Sequence, residues 1–262
     1  MPSKRFYDAH TNFSGRTLAE YYLSPGIRCK FDTIRSRVGD RPFERALDVG
    51  CSGNTLLYFL PGVKFRAYCD LAQRPLTQYA SPVDGPVCGD VTAMPYRDGA
   101  FDLVTALDVL EHVKDDQKAV DELVRVLAPG GLLLITVPHR MKYFTPQDTL
   151  VGHYRRYETE QLKAMVTSRG LREVVTFAVY GQMMRVGVLQ QANPDVAEEG
   201  LNKLRDNYRN DPVFRKFWNL VVRVGAKLME WDAQFRKLDS AMDVCFVFKK
   251  VVTPAARRTT GS

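Results

Sequence analysis

The stretch Arg45-Ala46-Leu47-Asp48-Val49-Gly50-Cys51-Ser52-Gly53-Asn54-Thr55-Leu56-Leu57 decides the fold. Residues 46–49 are a short, mostly apolar run typical of a strand, residues 50–54 a tight loop, and residues 55–60 the first turns of a helix. An open α/β sheet binds a nucleotide-like ligand with this order of strand, glycine loop and helix. Gly50 and Gly53 lack Cβ, so the backbone can turn sharply and let a ligand approach. Asp48 is expected to end the strand and direct its carboxylate at that ligand.

Two further acids follow the next two predicted strands. Asp70 ends a strand over residues 64–70, at a spacing from the glycine loop that suits an acceptor for both ribose hydroxyls. The alternative is a helix N-cap before residues 71–73. A third strand ends in Gly89-Asp90, where Asp90 would accept from an adenine amine and Val91 would pack on the ring.

The loop does not fit a dinucleotide site. The pattern Gly-x-Gly-x-x-Gly, begun at Gly50, requires glycine at positions 52 and 55, which are Ser52 and Thr55 in this chain. A dehydrogenase is therefore disfavoured.

The remaining pattern continues an alternation of strands and helices. Strand four begins at residue 101, and residues 115–127 have apolar side chains at helical spacing. Residues 128–131, Ala-Pro-Gly-Gly, are expected to end that helix before a continuous apolar strand over 132–137, typical of a sheet covered on both faces. A helix beginning at residue 158 or 159 and ending at Gly170, strand six over 174–180 and a final strand over 244–251 complete the prediction. Two N-terminal helices are predicted at residues 16–22 and 27–38.

Four ordered motifs carry a family resemblance. They are the Asp-Val-Gly-Cys-x-Gly loop, Asp-Gly-Ala-Phe-Asp-Leu-Val from Asp98, Leu-Asp-Val-Leu-Glu-His-Val from Leu107, and the run from Glu122 to Pro138 that contains Pro129-Gly130-Gly131. Over about residues 44–180 the chain resembles the class I S-adenosylmethionine-dependent methyltransferases of the small-molecule and lipid group (types 11/12), including ubiquinone-biosynthesis types. The resemblance implies an α/β, doubly wound, Rossmann-like sheet of seven mostly parallel strands with the last strand antiparallel. It also implies S-adenosylmethionine as cofactor and S-adenosylhomocysteine as product.

The motifs and the resemblance together give a predicted cofactor site. Its residues are Asp48, Gly50, Cys51, Gly53, Asp70, Leu71, Asp90, Val91, Leu107 and Asp108.

The same reasoning divides the chain. Residues 1–43 are a helical arm or lid, 44–180 the cofactor-binding core, 181–242 a helical insertion that roofs the substrate, 243–252 the final strand, and 253–262 a disordered tail.

Methyl transfer is an in-line displacement, and a hydroxyl nucleophile benefits from a base with a pKa near neutrality. Histidine fits that requirement, and His153 and His139 follow predicted strands at the ligand edge, so they are the candidate bases.

Arg155, Arg156 and Tyr21 are candidates for substrate binding, and Arg28 for the methionine carboxylate, against the alternative of ordinary surface and packing roles. Asp108, Glu111 and His112 form a possible metal cluster, but an ordinary helix start is favoured there and no metal site is predicted.

Composition bounds the wider function. The 262 residues are 45% hydrophobic with a net charge of +7, and no apolar run is long enough for a membrane span. The N-terminus lacks a signal-peptide core and the five cysteines form no Cys-x-x-Cys pair, which favours a cytoplasmic protein with reduced thiols. Residues 213–238 form a basic amphipathic helix, interpreted as a helix packed on the domain, a substrate roof, or a peripheral membrane contact.

Two other functions stay open. The charge admits a nucleic-acid methyltransferase, although residues 107–110 are Leu-Asp-Val-Leu and not the Asp/Asn-Pro-Pro-Tyr/Phe of amino-directed enzymes, so no nucleic-acid partner is expected. Ser52 and Asn54 stand where such loops often have glycine, which admits a cofactor-binding scaffold without catalysis. The leading prediction is methyl transfer, with O-methylation favoured, to a small-molecule or lipid-like acceptor.

Overall fold

The computed structural model describes residues 17–184 and 194–252, with side chains in the second range from residue 199. Seven strands form one sheet: β1 Phe43–Val49, β2 Val63–Asp70, β3 Asp84–Cys88, β4 Phe101–Leu107, β5 Leu127–Pro138, β6 Leu171–Tyr180 and β7 Asp243–Lys250. The order across the sheet is β3-β2-β1-β4-β5-β7-β6. The predicted termini 1–16 and 253–262, including the tail, lie outside the described residues.

The strand directions confirm the predicted fold class. Strands β1 to β5 run parallel to one another, whereas β7 is antiparallel to both β5 and β6. The carboxyl ends of β1, β2 and β3 therefore meet at one edge of the sheet, where the chain continues into Gly50, Leu71 and Gly89.

Seven helices accompany the sheet within the described residues. They are α1 Glu20–Leu23, α2 Pro25–Val38, α3 Asp116–Val126, α4 Pro146–Leu150, α5 Thr159–Thr167, α6 Pro194–Asn210 and α7 Pro212–Gln234. Helices α3 and α5 cover one face of the sheet, where Leu123 and Leu162 join the side chains of Leu47 and Val104. Helices α2 and α7 cover the other face, where Ile34 and Ala226 share a cluster with Ala46 and Leu103. The sheet is thus covered on both sides, as its apolar strands predict.

Two predicted details are wrong. The helix expected after the glycine loop is a single 3-10 turn, Leu56–Phe59, because Pro61 and Gly62 follow at once and do not continue a helix. The strand expected over 132–137 begins earlier, at Leu127, so that residues 128–131, which follow the end of the helix as predicted, lie within β5; its register with β4 shifts between Phe101 and Leu103.

Local signals fix the two helices of the second face. Helix α2 has Ser24 as N-cap and Pro25 at its first turn, and it ends before Gly39, whose φ is 75°. Helix α7 is capped by Asp211, whose Oδ1 accepts from the amides of Val213 and Phe214 at 2.8 and 3.0 Å.

Helix α7 lies directly on α1 and α2. The indole Nε1 of Trp218 donates to the carbonyl of Leu23 at 3.1 Å, and Gly225 lies so close to Pro25 that an added Cβ would be 3.0 Å from the proline Cβ. The helix predicted over residues 213–238 ends at Gln234 and packs on the domain, in agreement with one of its three interpretations. In the described ranges, none of the helices combines the length and apolar character that a bilayer span requires.

Candidate functional site at the carboxyl edge of the sheet

The loop after β1 turns through three residues with positive φ: Gly50 at 68°, Ser52 at 44° and Gly53 at 72°. At Gly50 the small size is also required, because a Cβ would lie 2.6 Å from Cγ2 of Val109. The glycine therefore lets the loop pass close to the segment after β4, and it brings the ends of β1 and β4 together.

Asp70 lies against this loop. Its Oδ2 accepts from the amide of Ser52 at 2.8 Å, and its Oδ1 accepts from the amide of Ala72 at 2.8 Å. The side chain is half-buried. The predicted adjacency of the acid and the loop is thus present, and the Cys51 thiol also lies 4.0 Å from Oδ2 of Asp70.

Asp90 follows β3 and is exposed. Its Oδ1 accepts from both the amide and the hydroxyl of Thr92, each at 2.8 Å. The amide of Gly89 donates to the Asp70 carbonyl at 2.9 Å, so these two acids follow neighbouring strand ends. Val91 is partly buried and packs against the core on the α3 side.

Asp48 requires a correction. Its side chain is 2% exposed, and its Oδ1 accepts from the Thr105 hydroxyl at 2.5 Å. Strand alternation places it on the same side of β1 as Ala46, which packs in the α2–α7 layer, so the carboxylate faces the interior and not a ligand. Burial raises the pKa of Asp48 to about 7, against the hydrogen bonds from Thr105 and Thr55 that lower it.

The other predicted cofactor residues at this edge are more enclosed. Cys51 is 3% exposed, and burial raises the pKa of its thiol well above the usual value. Leu71 is half-buried, and its carbonyl accepts from the thiol of Cys88 at 3.4 Å. Leu107 ends β4 and packs, partly buried, in the α2–α7 layer.

Asp108 belongs to a charged group at the centre of this edge. Lys30 of α2 pairs with Asp108 and, at 2.9 Å, with Asp243 at the start of β7. The Thr136 hydroxyl donates to Asp108 at 2.6 Å. Burial by itself would raise the pKa of Asp108, but Lys30 and Thr136 outweigh it and lower the value to about 2. Burial raises the pKa of Asp243 to about 8, against the lowering effect of Lys30.

His153 is held in a hydrogen-bonded chain. Its Nδ1 lies 2.8 Å from Oδ1 of Asp148, and the same carboxylate accepts from the guanidinium of Arg156 at 2.9 Å through both oxygens. Burial by itself would raise the pKa of Asp148. The hydrogen bonds from His153 and Arg156 outweigh burial and hold that pKa well below its usual range. An ionised Asp148 fixes the ring of His153 with Nδ1 as donor and Nε2 as acceptor.

Glu111 faces the other side of that ring. Its Oε1 is 4.0 Å from Nε2 of His153, the side chain is 1% exposed, and neither carboxylate oxygen has a hydrogen-bond partner. Burial raises the pKa of Glu111 well above its usual value. Donor atoms of Glu111, His112 and His153 lie within 4.8 Å of one another, a set that suits a divalent transition metal. This differs from the grouping considered in the sequence, because Asp108 pairs with Lys30 instead.

His139 requires a second correction as a candidate base. It is 1% exposed, and its ring nitrogens lie 3.3 Å from the Ala241 carbonyl and 3.0 Å from the Thr159 hydroxyl. Burial lowers the pKa of the imidazole. With both nitrogens engaged in the interior, the ring joins β5 to α5 and β7 and is not available to a substrate.

The predicted substrate arginines are also engaged. Arg156 is bound by Asp148 as described, and Arg155 pairs with Asp116 at 2.6 Å and donates to the Lys114 carbonyl at 2.8 Å. Substrate binding by these two arginines stays a prediction, and in the structure both guanidinium groups form ion pairs that fasten the loop that carries them.

The aromatic and basic residues of the N-terminal arm have packing roles. The Tyr21 hydroxyl donates to Asp32 at 2.7 Å and its ring stacks on Phe59 with centroids 4.0 Å apart, while Arg28 pairs with Asp32 at 3.3 Å. These contacts match the packing alternative for Tyr21 and Arg28.

Sequence reasoning missed Lys30, Asp148 and Asp243. Lys30 had a signal, because it lies between Ile27 and Ile34 at the spacing of the buried face of α2, where a charge needs a partner. Asp148 and Asp243 had no such signal. Asp148 lies in a segment whose sequence has no repeating pattern, and Asp243 pairs with Lys30, which is distant in the chain.

Comparison with known proteins gives one family match. Residues 47–135 match the family described as Methyltransferase domain. The chain is 43% identical over 53 residues to norajmaline N-methyltransferase of Rauvolfia serpentina (20% of this chain, 18% of the relative) and 31% identical over 130 residues to chloroplastic tocopherol O-methyltransferase of Arabidopsis thaliana (42% and 35%). It is 37% identical over 95 residues to tRNA (carboxymethyluridine(34)-5-O)-methyltransferase of Arabidopsis thaliana (35% and 23%). The chain thus spans about a third or less of the length of these relatives.

Solved structures share the fold. The N-methyltransferase NodS from Bradyrhizobium japonicum WM9 in complex with S-adenosylhomocysteine aligns with a TM-score of 0.59 at 15% identity, over 93% of this chain and 97% of that one. The [4+2]-cyclase SpnF aligns with a TM-score of 0.56 at 22% identity, over 87% and 81%.

Proposed function

Because the chain carries a class I S-adenosylmethionine-dependent methyltransferase domain, we propose that it transfers the methyl group of S-adenosylmethionine to a small-molecule or lipid-like acceptor, with O-methylation favoured. The observation that carries this proposal is the contact of the glycine loop with the acid that ends β2, in which Ser52 donates to Asp70 at 2.8 Å.

In this proposal the cofactor lies along the carboxyl ends of β1, β2 and β3. Asp70 accepts from the ribose hydroxyls, since its position beside the loop is the one that a ribose-binding acid takes in such sheets. Asp90 accepts from the adenine amine, and Val91 and Leu107 supply apolar contact to the ring. The loop from Gly50 to Gly53 accommodates the amino-acid end, with Asp48 supporting it from the interior.

His153 is the proposed base. Asp148 holds Nδ1, so Nε2 is the nitrogen left to accept a proton from an acceptor hydroxyl. Bound S-adenosylmethionine would supply the methyl group to the acceptor oxygen and would leave as S-adenosylhomocysteine, its sulfur keeping the electron pair of the broken S–CH₃ bond. The displacement itself needs alignment more than acid–base help, so the loss of His153 should lower the rate without abolishing cofactor binding.

A divalent metal at Glu111, His112 and His153 is compatible with the donor set, because the Glu111 carboxylate is buried with both oxygens unpartnered. Such an ion would supply Lewis-acid polarisation of an acceptor oxygen. Asp148 would then orient His153 as a ligand through the same hydrogen bond, and Nε2 would bind the ion instead of accepting the proton.

Cofactor binding is tested by titration calorimetry with S-adenosylhomocysteine. The Asp70→Ala variant should bind at least about tenfold more weakly, because a bidentate hydrogen-bond acceptor is lost. Asp102→Ala is the matched control, since Asp102 also accepts from two backbone amides, those of Glu44 and Arg45, but at the opposite edge of the sheet. Absence of binding by the wild-type protein at high micromolar ligand would overturn the proposal.

Two other functions have a specific observation in their favour. The tRNA-modifying relative and the net charge of +7 favour an RNA acceptor, for which RNA retention falling steeply with salt is the expected result. Ser52 and Asn54, which stand in the loop where glycine is common, favour a scaffold that binds the cofactor without using it. The three functions are separated by measuring S-adenosylhomocysteine formed with phenols, amines or RNA as acceptor. Product with a phenol or amine indicates a small-molecule acceptor, product with RNA indicates an RNA acceptor, and no product with any of them indicates the scaffold.

A further inference from the structure

Helix α7 has a second apolar face that the described residues leave exposed. Seven large apolar side chains along it are each about half or more exposed, from 49% for Leu228 to 77% for Val213. This outer stripe consists of Val213, Phe217, Leu220, Val224, Leu228, Trp231 and Phe235. Single exposed apolar residues are ordinary, but a contiguous set marks an interaction surface.

The spacing of the outer stripe places it on one side of the helix. Successive members are three or four residues apart, which is the repeat of a single α-helical face. The packing face of α7 is a different set that includes the buried Val222, Ala226 and Ala233. The stripe is therefore additional to the apolar face that joins α7 to the domain.

Basic side chains flank the outer stripe. Lys216, Arg223 and Lys227 are exposed and lie within one turn of its members. The two acids of α7 are paired, Glu230 with Lys227 at 2.6 Å and Asp232 with Arg236 at 2.5 Å. The exposed side of this helix thus combines apolar side chains with an excess of positive charge.

We infer that the outer stripe is a docking surface for an anionic lipid bilayer, with α7 lying in the plane of the membrane interface. A helix of this kind buries its apolar side at the headgroup boundary while lysine and arginine contact anionic lipids. The aromatic members, Phe217, Trp231 and Phe235, suit that boundary. A second copy of this chain is the poorer occupant, because pairing two such faces brings the bases of both copies together without exposed acids on α7 to meet them.

Trp231 provides a direct readout. The chain has two tryptophans, and Trp218 is fixed to the Leu23 carbonyl, so a Trp218→Phe variant reports on Trp231 alone. Vesicles of phosphatidylcholine with about one-third phosphatidylglycerol should shift its emission to shorter wavelength, whereas pure phosphatidylcholine vesicles should have a much smaller effect. A Trp231→Phe variant, which reports on Trp218, should show little shift.

Cosedimentation with the same vesicles tests the stripe itself. Leu220→Gln, Val224→Gln and Leu228→Gln together should lower the partition coefficient at least about tenfold, because three apolar groups are removed from the bilayer boundary. The control combines Val83→Gln, Leu150→Gln and Val174→Gln, which are also 40–49% exposed but lie away from α7, and it should bind as the wild type does.

The charge contribution has its own pair of variants. Lys216→Ser with Arg223→Ser should weaken binding to anionic vesicles, and Arg97→Ser with Lys118→Ser, exposed bases elsewhere, should not. Unchanged binding by the stripe variant overturns the inference. The inference is also overturned if the wild-type protein is a dimer and the stripe substitutions convert it to a monomer, because the outer stripe then binds a second copy of the chain. Calorimetry measures cofactor binding on the same variants. A protein that binds S-adenosylhomocysteine but not vesicles contradicts only the membrane inference and leaves the methyl-transfer proposal standing.

Discussion

At the scale of single residues, disfavoured backbone conformations mark the candidate site. Among the described residues, the non-glycine residues with positive φ are Ser52, Asp108 and Arg140. They follow β1, β4 and β5 at the carboxyl edge of the sheet. Such conformations persist only where the surrounding contacts hold them, and they concentrate at functional sites.

Gly50 offers a test of the loop geometry. Gly50→Ala should destabilise the fold by roughly 2–4 kcal/mol, because a Cβ adds a clash with Val109 to the strain of a positive φ. Gly170→Ala is the matched control: its φ is 80° but nothing lies within 4 Å of the added Cβ, so the strain of a positive φ alone should cost about 1–2 kcal/mol. Urea unfolding measures both, and equal losses would show that the contact with Val109 does not matter.

The buried carboxyl of Asp48 should make the stability of the fold depend on pH. Its folded-state pKa of about 7 lies above the usual 3.8, so the folded state retains a proton that the unfolded state releases, and stability is lost as pH rises through this range. Asp48→Asn removes that loss and should be more stable than the wild type by roughly 1–4 kcal/mol at pH 8, with a smaller gain at pH 5. Urea unfolding at the two pH values checks it, and a gain independent of pH would contradict the buried, protonated carboxyl.

The His153–Asp148 pair gives a kinetic prediction. Asp148→Asn should lower kcat by about 10–1,000-fold, because the ring of His153 loses the acceptor that fixes its tautomer, and His153→Ala should do the same. Affinity for S-adenosylhomocysteine should stay within about twofold in both variants. Thr159→Val, which removes the hydroxyl partner of His139, is the control and should leave kcat unchanged.

At the scale of elements, helix α2 connects the N-terminal arm to the middle of the sheet edge. A single side chain, Lys30, reaches the ends of β4 and β7 by pairing with Asp108 and Asp243. Its side chain is 7% exposed, so the ion pairs replace lost hydration and a missing partner would be costly.

Lys30→Met is therefore expected to cost roughly 1–3 kcal/mol of unfolding free energy, since Asp108, which is 41% exposed, and the buried Asp243 both lose the charge-assisted bond from Lys30. Adding Asp108→Asn should recover part of that loss, and the double-mutant cycle isolates the interaction. The exposed pair of Lys64 with Glu44 is the comparison, and Lys64→Met should cost less than about 0.5 kcal/mol. Similar costs at the two lysines would refute a structural role for Lys30 at this edge.

At the scale of the whole molecule, cofactor binding joins strands that are separate in the chain. The proposed contacts come from the loops after β1, β2, β3 and β4, so a ligand there stabilises the folded state as a unit. At ligand concentrations a hundredfold above Kd the gain is about 2.7 kcal/mol, or about 5–10 °C in Tm for a domain of this size.

Differential scanning calorimetry with S-adenosylhomocysteine should show this increase in Tm, and NADH at the same concentration should not, because the loop lacks the dinucleotide spacing. The Asp70→Ala variant should show a smaller increase than Asp102→Ala. A rise with NADH alone would indicate a different cofactor.

The sequence by itself determined the sheet, its seven strands and the edge at which the site lies. The reason is that these features depend on local patterns: apolar strands, a glycine loop, and acids at strand ends such as Asp70 and Asp90, with parallel strands placing their ends together.

Only the tertiary structure decided which polar groups are free. Asp48, His139, Arg155 and Arg156 each suit a ligand by residue type, yet each is engaged by a partner whose approach no local pattern encodes. The same holds for the exposed stripe of α7. Its periodicity was visible in the chain, but which side packs and which side faces solvent depends on how α7 meets α2.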